Sequence, residues 1–258
     1  MISLLVSSKT MASNPCPFDM ALSTPRFLDE AEKIDAVLKK YSPLQLKRLM
    51  HISSALAQAT HDRIATWGQL DKTPAWYSFV GDVYTGLKIK EFTTKDLEFA
   101  QQHLGTLSGL YGILKPLDAI HPYRLELGYT LKGSVYKKTF KNLYEFWGDK
   151  IAKTIPKNEV VVNLSSEEYI KVLRPYLPEH QLITPWFLQI KAGEPNFQAV
   201  HAKMARGMMA RWITKNRIND EVKLRDFTYG GYIYNQRLST PLKPSFTRPE
   251  GYDFRADY

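Results

Sequence analysis

The chain has 258 residues, 44% hydrophobic and 24% charged, the proportions of an ordinary globular protein and not of a disordered, collagen-like or membrane-embedded one. Its 35 Lys and Arg against 26 Asp and Glu leave a formal charge of +9, an excess that points to a polyanionic partner. Cys16 is the one cysteine, which excludes an internal disulfide and a cysteine-built zinc or iron–sulfur centre.

No apolar run reaches the ~18 residues of a membrane span. Ile2–Val6 is too short for a signal segment and lacks a basic flank. A soluble cytoplasmic protein is expected.

Ile2 to Val6 reads as a short buried strand. Polar Ser7-Ser8-Lys9-Thr10 follows it, then a proline-broken loop over residues 11–25. Ser42-Pro43 starts a helix with proline in its first turn and puts Leu46, Leu49 and Met50 on one face. Another helix begins near Ser53 and runs to about Trp67. Thr93 or Thr94 opens a third, whose Leu97, Ala100, Leu104 and Leu107 follow the three-and-four spacing of a buried stripe. Asn142-x-x-Glu145 is a capping box for a helix through Phe146 and Ile151.

Val160–Val162 is a buried strand, and Ser165-x-x-Glu168 caps the next helix. Gln181 to Ile190 and Phe197 to Val200 are expected as strands and His201 to Arg217 as a long helix. Residues 239–258, rich in proline and aromatic side chains, are expected as an irregular tail. Without an internal repeat or flexible linker, the alternation predicts one mixed α/β (α+β) domain over residues 1–258.

Several polar residues exceed what packing requires. Lys9 directly follows a strand, and strand ends in open α/β sheets are ligand crevices; the plainer reading is a solvated loop lysine. Gly81 and Gly86 bracket Asp82 and Tyr84, a carboxylate and a phenol on one short loop, although the glycines could serve only tight turns. An extended Tyr123-Arg124-Leu125-Glu126 would send Arg124 and Glu126 to one face, where an internal ion pair is the competing reading. Asn163 lies just beyond its strand and lacks a structural role, whereas Glu168 is accounted for by its capping box. Gly148 inside a helical pattern costs about 1 kcal/mol relative to alanine, which suggests close backbone approach beside Asp149. Lys9, Asp82, Arg124 and Asn163 are the candidate pocket, with Tyr84, Tyr123, Glu126, Asp149 and Glu168 as further members.

Two features point to nucleic acid. Thr94 to Ala119 can be read as helix, hairpin, helix, with Leu107–Gly112 as the hairpin. Backbone N–H groups around Gly109 and Gly112, with Lys115 nearby, would then meet a phosphate. The competing reading is a helix ending at Gly109 and a strand from Leu110. On the helix from His201, Lys203, Arg206, Arg211, Lys215 and Arg217 fill about half the circumference with no acid among them. Five like charges without partners suggest a phosphate track, against the alternative of a solvated face. The six histidines show no metal-ligand spacing, and no Walker loop, His-Glu-x-x-His helix or Gly-x-Ser-x-Gly elbow is present. Neither a metal nor a cofactor is expected.

In combination and order, Ser8-Lys9-Thr10, Gly81–Leu87, Leu107–Gly112, Pro122–Glu126, Phe146–Asp149, Asn163–Tyr169 and Lys203-x-x-Arg206-Gly207-x-Met209 resemble the YaaA family of bacterial peroxide-stress proteins. The resemblance runs from about residue 1 to about residue 235. Ser7-Ser8 stands where the family usually has Pro-Ala before the Lys-Thr pair. The resemblance implies a fold with a helix-hairpin-helix-like element, DNA binding, and protection of DNA and protein during hydrogen peroxide stress by limiting unincorporated iron. The competing expectation is an enzyme acting on a nucleotide or a DNA lesion through a pocket containing Lys9. An iron-storage protein is least supported, because a ferritin-like site needs Glu-x-x-His pairs that the sequence does not offer.

Overall fold

A computed structural model describes the whole chain except Ser13, Lys137 and residues 253–258. Its centre is a five-stranded sheet in the order Leu182–Ile183, Val161–Asn163, Ile2–Val6, Leu104–Ser108, Gly112–Leu114. The first four run parallel and the last is antiparallel. Leu4, Leu5, Val161 and Val162 are fully buried, as expected of apolar runs in a sheet covered on both faces. From Ile2–Val6 the next strand in this sheet lies on one side, whereas from Val161–Asn163 it lies on the other. The two connections therefore diverge, and a crevice opens at the carboxyl ends of these strands.

The local signals at helix starts hold. Ser42 and Gln45 form a reciprocal capping box on the helix Pro43–Met50, Ser53 caps Ser54–Ala65, and Thr93 with Asp96 forms a box on Thr94–His103. Two other caps differ from expectation. Asn142 accepts from the Glu145 N–H, but Glu145 returns its carboxylate to the Lys141 N–H. That helix, Leu143–Trp147, stops early because Gly148 takes φ +49°. Ser165 does not cap the short helix Glu167–Ile170; its hydroxyl donates to Asn163, and Glu168 has a different partner described below.

The helix-hairpin-helix expected over residues 94–119 is not formed. The helix ends at His103, and Leu104–Ser108 and Gly112–Leu114 pair as an antiparallel β-hairpin inside the central sheet. All five residues of Leu104–Ser108 are buried, so their helical spacing reflects burial on both faces of a strand. Gly109 and Gly112 serve close packing: a β-carbon would lie 2.6 Å from the Leu125 carbonyl at Gly109 and 2.8 Å from the Trp147 ring at Gly112. Lys115 sits in the turn that follows, its N–H donating to Asp118. Two helices joined by three residues do occur earlier, Pro43–Met50 and Ser54–Ala65, with His51 at φ +52° in the link.

A second sheet has the order Glu194–Asn196, Trp186–Lys191, Ser245–Arg248, Ile233–Tyr234. Ser245–Arg248 is buried along its length and parallel to Trp186–Gln189, so the segment from Ser239 is not wholly irregular. Phe246 packs on Phe187, their ring centres 5.6 Å apart, and this non-local contact supplies its β character. The expected strand Gln181–Ile190 divides between the two sheets. Phe197–Val200 is not a strand either; Phe197 precedes the long helix Ala199–Lys215, and Val200 lies within it. That helix crosses the short helix Asp82–Leu87 at Gly86 and Gly207 and completes a single compact mixed α/β domain. Among the described residues no helix is long and apolar enough to cross a membrane.

Candidate functional site

The crevice at the ends of Ile2–Val6 and Val161–Asn163 is a cavity of ≈ 460 Å³. The loop after the first strand forms its floor. There Ser8 donates its hydroxyl to the Val80 carbonyl, and the Ser7 hydroxyl donates to the Tyr169 hydroxyl at 3.4 Å. The Lys9 ammonium stands 2.8 Å from the Glu126 carboxylate, with 56% of the lysine side chain exposed and 16% of the glutamate. Arg124 does not line the cavity; its Nη1 donates to the Lys9 carbonyl at 3.1 Å and braces the loop from behind. Arg124 and Glu126 thus share a face, but each reaches Lys9 and not the other.

Asp82, the first residue of its short helix, and Tyr84 form a second wall. The Tyr84 hydroxyl donates to the Val6 carbonyl at 3.0 Å, and burial pushes its phenol well above the ordinary tyrosine value. Tyr123 lies behind the wall, hydrogen-bonded to Ser108 at 2.7 Å and pushed up to about 12 by burial. Both phenols stay protonated at neutral pH and serve the structure, Tyr84 as a donor to the backbone and Tyr123 as a hydroxyl partner of Ser108. Opposite them stands Glu168, whose Oε1 accepts the Gly128 N–H at 3.0 Å. A β-carbon at Gly128 would lie 2.6 Å from the Glu168 carboxyl carbon, so the glycine permits this contact. Glu168 is thus a cleft residue and not a helix cap.

The long helix closes the cleft with Lys203 and Arg206. Lys203 is exposed. Arg206 is half-buried, and neither side chain forms a hydrogen bond or ion pair with any described residue. Burial pulls the Arg206 guanidinium below the usual arginine value, and Glu167 offsets this only in part.

The other cations expected on that face, of which Arg217 lies just beyond the helix end, each have an acidic partner. Arg211 pairs with Glu91. Lys215 pairs with Asp96 at 2.7 Å and donates to the Glu91 carbonyl at 2.6 Å, and Arg217 reaches Asp96 at 2.9 Å. Their acids come from the segment around Thr94–His103, so the helix's own sequence could not reveal them. Besides Arg124 and Tyr123, two more candidate pocket residues do not line the cleft. Asn163 is buried, its Oδ1 accepting from the Ser165 N–H at 2.9 Å and hydroxyl at 2.7 Å while its Nδ2 reaches Thr184. It shapes the turn after the strand. Asp149 lies outside the cleft and pairs with Lys153 at 2.7 Å.

Lys9, Asp82, Tyr84, Glu126, Glu168, Lys203 and Arg206 therefore meet. Gly128 and Ser166 were not anticipated, and no local sequence signal marks Gly128. Among the described residues no three His, Cys, Asp or Glu side chains gather as a metal-holding group.

A mixed α/β domain with a charged crevice at the diverging ends of parallel strands is a ligand-binding architecture. The family model described as peroxide stress protein YaaA matches residues 1–238. A UPF0246 protein of Salinispora tropica is 42% identical, covering 97% of this chain and 95% of its own. UPF0246 proteins of a Marinomonas species and of Shewanella baltica are 40% and 36% identical over 96% and 97% of this chain, covering 96% and 100% of their own length. The chain belongs to the YaaA family of peroxide stress proteins, and a general role in peroxide stress goes with that membership.

Proposed function

We propose that this peroxide-stress protein binds DNA through phosphate contacts at the strand-end cleft and so limits iron-dependent damage to DNA and protein in the cytoplasm. The observation that carries the reading is Arg206, a half-buried guanidinium that forms no ion pair with any described residue and is compensated only in part by Glu167. A charge withdrawn from water and only partly compensated is costly. Its planar fork matches phosphate oxygens, so a bound phosphate relieves that cost. Lys203, one turn earlier, and Lys9 across the cleft add two further cations. The formal +9 supports attraction at longer range. The iron-limiting part draws its support from the family resemblance.

Titration of labelled duplex at several salt concentrations tests the reading, because each phosphate contact contributes a slope of roughly 0.9 in log affinity against log salt. Arg206→Gln and Lys203→Gln should each flatten the slope by about one contact. Lys215→Gln should leave the slope unchanged, since that ammonium is already engaged by Asp96. Absence of binding at low salt, or one slope for all variants, overturns it.

A second reading, an enzyme acting on a nucleotide or DNA lesion, is favoured by the Lys9–Glu126 pair facing Glu168 and Asp82 across one cleft. Product formation from nucleotides or abasic duplex would distinguish it from binding alone.

A further inference from the structure

A second cavity, of ≈ 550 Å³, adjoins the cleft, and Val80, Gly81 and Tyr84 belong to the walls of both. The two differ in chemistry. The cleft is lined chiefly by cations, carboxylates and hydroxyls, whereas Trp76, Tyr77, Phe79 and Ile89 give the second space its larger apolar share beside Lys88, Lys90 and Glu91. Val80 marks the junction and keeps 41% of its surface exposed, although it is apolar. Gly81 beside it has φ +129° and no side chain to narrow the passage. Each space falls within the roughly 300–1,000 Å³ of small-ligand sites.

From the charged cleft and its apolar annex, we infer that the pair binds a nucleoside monophosphate unit, with phosphate at Arg206 and Lys203 and the base beyond Gly81. This rests on the reading of Arg206 as a phosphate contact. A ligand spanning both spaces must be anionic at one end and flat-faced and apolar at the other. A base also needs partners for its polar edge, and the annex supplies Asn14 and Thr85 at its rim. In the cleft wall, Glu168 uses one carboxylate oxygen on Gly128; the other makes no hydrogen bond to a described residue and suits a sugar hydroxyl. A free nucleotide can enter directly. Duplex DNA can present the same unit only by turning it out of the stack.

Calorimetric titration of the full chain with inorganic phosphate, deoxyadenosine and deoxyadenosine monophosphate tests the inference. The nucleotide should bind at least tenfold more tightly than phosphate, and the nucleoside weakly. Asn14→Trp, at an exposed position that lines the annex and not the cleft, should erase the tenfold advantage and leave phosphate affinity intact. Thr85→Trp, at an exposed helix position, should do the same by filling the annex. Arg206→Gln should weaken both phosphate and nucleotide. A duplex with 2-aminopurine at a mismatch separates the sources. A fluorescence rise on binding that Thr85→Trp abolishes identifies an extruded nucleotide; nucleotide binding without that rise identifies a free one. If the nucleotide binds no tighter than phosphate, or its advantage survives both annex variants while Arg206→Gln still weakens phosphate, the inference fails and the phosphate reading stands. Phosphate and DNA binding unchanged in Arg206→Gln would remove that reading itself.

Discussion

Gly207 lies so close to the Val83 carbonyl that a β-carbon at 207 would stand 1.8 Å from that oxygen. The contact is reciprocal, because a β-carbon at Gly86 would stand 2.2 Å from the Met204 carbonyl. Two helices thus cross backbone against backbone, and the crossing holds the turn bearing Lys203 and Arg206 over the cleft. Glycine inside a helix costs about 1 kcal/mol relative to alanine, so the close approach opposes that local preference.

Gly207→Ala should therefore destabilise the protein by on the order of 1–3 kcal/mol through overpacking. Urea denaturation measures this. Gly68→Ala is the control, since nothing lies within 4 Å of a β-carbon there. Equal stability of the two variants would show that the helices move apart without cost.

Asp96 links the acid response to the same helix. Burial alone would raise its carboxyl, but hydrogen bonds from Lys215, the Thr93 N–H and Arg217 outweigh it and hold the group well below the usual carboxylate range. A depressed folded-state value means stability that is fully present above the unfolded value of about 3.9 and is lost as pH falls through the folded one. Asp96→Asn should cost on the order of 1–2 kcal/mol at neutral pH by stripping two partly exposed cations of their acid. The gap between wild type and variant should narrow below about pH 4. A gap constant from pH 7 to pH 2 would exclude the linkage.

The same residues show where the sequence is legible. Caps at Ser42, Ser53 and Thr93 are bonds between near neighbours, and apolar runs such as Ile2–Val6 mark strands buried on both faces. Leu104–Ser108 misleads because it follows a helix without a glycine or proline break before Leu104, and its leucines keep a helical interval by coincidence. The acids that neutralise Arg211, Lys215 and Arg217 lie 119 to 121 residues away along the chain, beyond any local pattern. Lys9, Asp82 and Glu126 could be chosen as reactive types near strand ends. That Asn163 turns inward to Ser165 and Thr184, or that Gly128 holds Glu168, depends on tertiary packing.

Metal content gives a further expectation. The described residues gather no metal-holding group, and the principal carboxylates of the cleft have other duties, Glu126 on Lys9 and Glu168 on Gly128. Protein purified without chelators should carry well under one iron or zinc per chain by elemental analysis. A stoichiometric, chelator-resistant metal would instead support direct iron binding.

The final prediction concerns the role of Lys9. A lysine that forms an imine must first become a neutral amine, which requires burial or a neighbouring cation. Lys9 is not buried: its side chain is 56% exposed, and its partner at 2.8 Å is the carboxylate of Glu126. The Arg124 guanidinium is directed to the Lys9 backbone carbonyl. This arrangement suits an ammonium that anchors an anion. Borohydride added to wild type with abasic duplex should trap no covalent adduct. Lys9→Ala should weaken phosphate-ligand binding about fivefold, the equivalent of ~1 kcal/mol for an exposed charge contact, and Lys9→Arg should retain most of it. A trapped adduct that disappears in Lys9→Ala would reverse the assignment, because a covalent bond at that nitrogen cannot form from the ammonium.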